Sequence, residues 1–108
     1  MTFKEYQDSA RKTSNYSDKY RLLYPAMGLA GEAGEVANKI QKLMRDKDMI
    51  LDEDDRLSLA KELGDCLWFI SAMADDLEYD IEDIAKINIE KLASRYSRGL
   101  IGGSGDNR

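Results

Sequence analysis

A chain of 108 residues, 43% of them hydrophobic, has material for one domain with a modest core. Its formal net charge of −5 argues against a general nucleic-acid binder, which would show a basic face. The absence of histidine removes Ser-His-Asp and Cys-His catalysis and histidine-rich zinc sites. The single cysteine, Cys66, excludes an intramolecular disulfide framework and fits a reducing cytoplasm.

In chain order, Thr2 followed by Glu5 reads as a capping box that opens a first helix to about Lys12. The same stretch, Met1 to Ala10, has acidic residues and no apolar run, so no signal peptide is expected. Thr13 to Lys19 is polar and turn-like. Pro25 suits the first turn of a second helix, expected to about Arg45, with Leu29, Ala33, Val36, Ile40, Leu43 and Met44 at helical spacing. Asp46 to Asp55 is a charged connection. A third helix is predicted from about Arg56 to Leu77, with Leu59, Leu63, Cys66, Ile70, Met73, Ala74 and Leu77 as its apolar stripe. Glu78 to Asp80 makes a turn, and Asp80 caps a fourth helix from Ile81 to about Ser97. The tail GLIGGSGDNR is glycine-rich and is expected to be mobile on its own. No segment alternates as a strand does, and no apolar run is long enough for a membrane span. The reading is all-α: a four-helix bundle-like domain over 1–98 and a tail over 99–108.

Two stretches share a layout. GLAGEAGEVANKI starts at Gly28 and SLAKELGDCLWFI at Ser58; Leu29, Ala30, Glu32, Gly34 and Ile40 recur as Leu59, Ala60, Glu62, Gly64 and Ile70, and Glu35 matches Asp65. At about 100° per residue, with the leucine of each helix as origin, Glu32 and Glu62 fall near −60°, and Glu35 and Asp65 near −120°. Helices packed side by side would aim four carboxylates into one cleft. Four acids converging without cations repel strongly, and a divalent metal removes that repulsion. Oxygen ligands favour Mg²⁺, Mn²⁺ or Ca²⁺. Gly28, and Gly31 with it, would leave room for a ligand near the backbone, while Gly34 and Gly64, away from the acids, suit close helix contact. The competing view of each ExxE or ExxD motif is a solvated helix flank.

ExxE followed by ExxD, with INIEKLASRYSRG and the ending GSGDNR, resembles the MazG-like branch of the all-α nucleoside triphosphate pyrophosphohydrolases over most of the chain. The resemblance implies hydrolysis of (deoxy)nucleoside triphosphates between the α- and β-phosphates, giving a monophosphate and pyrophosphate. It makes Glu32, Glu35, Glu62 and Asp65 the ligands of Mg²⁺, with Mn²⁺ as the alternative ion. Many relatives carry a glutamate where this chain has Gly31, so any role of that acid is absent or supplied elsewhere. With no histidine present, a carboxylate must serve as base, and Glu35 is the first choice. Within the superfamily, a phosphoribosyl-ATP pyrophosphohydrolase is the rival; outside it, a non-catalytic helical interaction module.

Lys39, one turn after Glu35, suits either a phosphate contact or an i, i+4 salt bridge to Glu35. Asn88, Lys91 and Arg95 fall in or beside the stripe of the fourth helix formed by Ile81, Ile84, Ala85, Leu92 and Tyr96. They suit a nucleotide's phosphates or ribose, or else snorkel to solvent and bond within the protein. Met27 and Trp68 point away from the main stripes, so Trp68 is expected at a subunit interface or stacked on a base, with Phe69 near the metal cleft. The resemblance implies a homodimer or homotetramer and a nucleoside triphosphate as substrate; charge and hydropathy imply no nucleic acid or membrane as partner, and the single cysteine a cytoplasmic location, the host's if the gene is a phage's.

Overall fold

A computed structural model describes residues 1–108, and every regular element in it is helical: α1 Phe3–Arg11, a 3₁₀ turn Asp18–Tyr20, α2 Leu23–Lys47, α3 Glu53–Asp76 and α4 Ile81–Ser97. Local chemistry sets the boundaries. Thr2 Oγ1 accepts from the Glu5 backbone N–H at 3.1 Å, which starts α1 as expected. Asp52 and Asp55 form a reciprocal capping box, so the acidic run expected to be a connection instead opens α3. α2 runs past Arg45 because Asp48, in the left-handed region at φ 48°, closes it.

α2 starts two residues before Pro25, behind a strained residue. Leu22 has φ 68°, uncommon for a side chain of its size, and its N–H donates to Asp76 Oδ2 at 2.9 Å. Asp76 also accepts from the Tyr16 hydroxyl at 2.8 Å, so one carboxylate near the end of α3 holds the whole approach to α2.

The long helices α2 and α3 pair closely as an antiparallel hairpin, while α1 and α4 pack on α3 and on each other. Gln7, 1% exposed, joins the three: its Nε2 donates to Asp75 Oδ1 at 2.8 Å and to the Tyr79 carbonyl at 3.0 Å, and its Oε1 accepts from the Ile81 N–H at 2.9 Å. An even bundle is therefore not what a single chain makes. Only 9 of 108 residues are buried, and Met27, Leu63 and Ile89 are 76%, 59% and 65% exposed. The packed region lies where α1 and α4 meet the C-terminal part of α3; Leu57 and Met44 toward the other end of the hairpin stay open.

The glycines divide differently from expectation. The Phe69 ring fills the space a side chain on Gly28 would need, so that glycine serves helix packing rather than ligand approach. Around Gly34 and Gly64 there is nothing within 4 Å of where a side chain would start, so neither makes a close helix contact within the chain; Gly31 also faces open space. The tail is tied down. Asp106 Oδ1 accepts from Lys91 Nζ at 3.0 Å, and Arg108 donates to the Leu100, Gly102, Ile101 and Gly105 carbonyls.

Candidate active site

Glu32 on α2 and Glu62 and Asp65 on α3 each place a carboxylate oxygen so that all three lie within 4.8 Å of one another. Antiparallel pairing of the two matched motifs produces this meeting. The Glu32 carboxyl is pushed above its ordinary value, first by partial burial and then by the charges of Asp65 and Glu62. Three hard oxygen donors at this spacing suit a divalent cation. Glu35 is exposed and does not join the three, although it shares the helical phase of Asp65.

Lys39 does not form the i, i+4 salt bridge to Glu35. Its Nζ lies 3.3 Å from Glu62 Oε1 and donates to Ser58 Oγ, across to α3 instead of along α2 to Glu35. It is a cation on the border of the acid cluster.

Phe69 follows Asp65 by one turn. It packs on Gly28, meets Trp68 edge to face at 5.0 Å between ring centroids and lies 6.2 Å from the Tyr24 ring. It closes one end of the acid cluster. Trp68 is half-buried instead of pointing freely outward: its indole N–H donates to Thr13 Oγ1 at 2.7 Å, so the loop after α1 covers it. It forms one wall of a cleft of about 280 Å³ with Arg11, Tyr16, Ser71, Asp75 and Asp76. Ser71 is 1% exposed and its Oγ has no hydrogen-bond partner. Ser71 falls about 120° from Leu59, outside the expected α3 stripe, so helical phase does not mark this cleft.

On α4 the three polar residues separate. Asn88 is exposed, against the expectation that it lies within a buried stripe; Leu92 and Tyr96 are exposed too, because the packing that buries Ile81 at the start of this face does not extend along it. Arg95 is 5% exposed and does not snorkel. Its Nη2 donates to the Asp106 carbonyl at 2.8 Å, while its Nε has no partner. No hydrogen bond or ion pair links Lys91 or Arg95 to the acid cluster; both are engaged by the tail.

The model of the family described as MazG nucleotide pyrophosphohydrolase domain matches residues 24–99, a span that holds both acidic motifs and α4. The chain is 47% identical over 87 residues to a protein of Mycobacterium phage L5 named Gene 37 protein, covering 81% of this chain and 76% of that protein. No solved structure matches. No helix is long and apolar enough to cross a membrane. With the family match spanning well over half of its length and both acidic motifs, the chain belongs to the MazG nucleotide pyrophosphohydrolase domain family.

Proposed function

We propose that the protein hydrolyses nucleoside or deoxynucleoside triphosphates to the monophosphate and pyrophosphate, with Mg²⁺ or Mn²⁺ as cofactor. The observation that carries this reading is the convergence of Glu32, Glu62 and Asp65 inside the family-matched span. Those three residues would hold the ion, with Glu35 as the fourth ligand. A divalent ion there supplies charge neutralisation for the phosphate oxygens and an acidified water.

The rest of the reaction belongs to side chains. Glu35, exposed beside the cluster, takes the proton of the attacking water. Lys39 holds Glu62 in place. Trp68 and Phe69 offer aromatic walls for the base, and the buried, unpaired Ser71 Oγ in the wall of the Trp68 cleft suits a polar edge of it. Asn88, Lys91 and Arg95 contact phosphates or ribose. Since nothing in one chain joins them to its acid cluster, they serve best across a subunit boundary.

The same argument supports a homodimer, or a homotetramer formed from two dimers. Leu63 follows Glu62 directly on α3 and is exposed, as are Ile87 and Ile89 on α4. A second copy would cover these apolar residues and complete the bundle. The setting is the cytoplasm, the host's if the chain is phage-encoded like its relative.

A panel of nucleoside and deoxynucleoside triphosphates with Mg²⁺ tests the reading, scoring pyrophosphate against orthophosphate. Monophosphate and pyrophosphate in equal amounts are expected. Stepwise orthophosphate release through a diphosphate would sink it.

A further inference from the structure

We propose that the cleft between α2 and α3 beside the acid cluster is the seat of the terminal phosphates and of the departing pyrophosphate, with Lys42 as its free cation. This deepens the pyrophosphohydrolase reading and rests on it. The cleft encloses about 240 Å³ and is lined in part by Lys39, Lys42, Lys47, Asp46, Asp55 and Ser58.

Three observations point to an anion there. Lys39 borders both places, since its ammonium lies 3.3 Å from Glu62 Oε1 and donates to Ser58 Oγ in the cleft wall. The carboxylates of the cleft are already engaged: Asp46 accepts from Arg45 at 2.8 and 2.9 Å, and Asp55 from Lys47 at 2.7 Å. Lys42 forms no ion pair with any of them. A chain of net charge −5 thus keeps an exposed ammonium that forms no close ion pair, with only the charge of Asp46 four residues on to offset it, in a concave site next to its acid cluster. Ser58 and Glu62 are four residues apart on α3, about 6 Å along the helix axis. Two linked phosphoryl groups cover such a span.

The chemistry needs a cation at this place. Water oxygen bonds to the α-phosphorus, and the bond from that phosphorus to the bridging oxygen breaks. The bonding pair stays on the pyrophosphate, which gains negative charge as it leaves, and the water's proton passes to Glu35 and on to solvent. Lys42, with the remaining donor capacity of Lys39, meets that charge. The substrate then lies with its phosphate tail toward the turn between α2 and α3 and its base toward Trp68.

Inorganic pyrophosphate is the probe. In Mg²⁺ buffer, Lys42→Ala should weaken pyrophosphate both as a product inhibitor and as a calorimetric ligand by about tenfold or more, the scale of a lost charge-assisted hydrogen bond. Lys42→Glu should weaken it further. Inhibition by the monophosphate product should hold constant in both, and Lys86→Ala on exposed α4 should change nothing. Unchanged pyrophosphate binding in both Lys42 variants, or an equal loss of monophosphate inhibition, overturns the assignment while leaving the activity intact. Lys42-dependent pyrophosphate binding in a protein that turns over no triphosphate would keep the anion site and overturn the activity instead.

Discussion

The ring of Phe69 lies against the backbone of Gly28, its Cδ1 2.6 Å from the position a Cβ would take. Gly28 stands one turn before Glu32, and Phe69 one turn after Asp65, so this contact seals one end of the acid cluster. Gly28→Ala should therefore destabilise the protein by about 1–3 kcal/mol through overpacking, outweighing the gain in helix propensity. Gly31→Ala, which meets open space, should stabilise it by up to about 1 kcal/mol. Denaturant melts of the two variants check the pair, and equal stabilisation by both would contradict the contact.

Glu32→Gln, Glu62→Gln and Asp65→Asn should each reduce turnover by more than the roughly 10–100-fold that loss of an outer partner of a metal ligand costs. Folding should survive. Glu32→Gln should raise the melting temperature of the metal-free protein, because burial and the charges of Asp65 and Glu62 already disfavour its ionised form. Melts in chelator and in Mg²⁺ separate the effects: the neutral variant gains in the first and loses the metal-dependent rise in the second.

Tyr16 carries a pH signature. Burial first, and then its hydrogen bond to Asp76, push its hydroxyl up from 10.0 to about 12. A raised folded value favours the protonated form, so this contribution is fully present below pH 10 and is lost as pH rises through about 12. Tyr16→Phe should flatten that part of the alkaline stability curve. In phenolate absorbance titrations of the two proteins, the variant should lack a late-titrating component that wild type shows.

Asp106 holds the two cations of α4 assigned to phosphate. Asp106→Asn should leave helical content unchanged and lower KM for the triphosphate, with kcat little altered, because Lys91 and Arg95 lose an internal competitor. A KM equal to wild type would remove the tail from the substrate's path.

Light scattering or sedimentation should give a mass well above the 12.3 kDa of one chain. Leu63→Asp, which puts a charge on an exposed apolar residue beside Glu62, should shift the mass toward the monomer and reduce activity with it. A strictly monomeric yet fully active wild type at micromolar concentration would contradict the assembly.

Helix identity and the acid motifs were legible because both are local. Thr2, Asp80 and the 3.6-residue stripes act within a turn or two, and the repeat from Gly28 to Ile70 places its acids by helical phase alone. What phase does not carry is the meeting of helices. Glu35 and Asp65 share a phase, yet only Asp65 joins the cluster. Lys39 has an acid four residues back and reaches α3 instead. The α4 stripe was readable, but its expected burial did not follow, because the packing that buries Ile81 does not extend to Asn88 and Tyr96. The tail's glycines suggested freedom, and the charges of Asp106 and Arg108 within the same segment tie it down.

Gln7 gives the molecule a buried latch. Its bonds to Asp75, Tyr79 and Ile81 join residues 68 to 74 positions away, whereas α2 and α3 are neighbours in sequence and pair across a short turn. The first amides of a helix ordinarily exchange freely with solvent, since no preceding turn accepts from them. The Ile81 amide is an exception because Gln7 accepts from it. In deuterated water its exchange will follow the release of α1, not the fraying of its own helix. One amide at the start of α4 thus becomes a clock for an opening that begins at the other end of the chain.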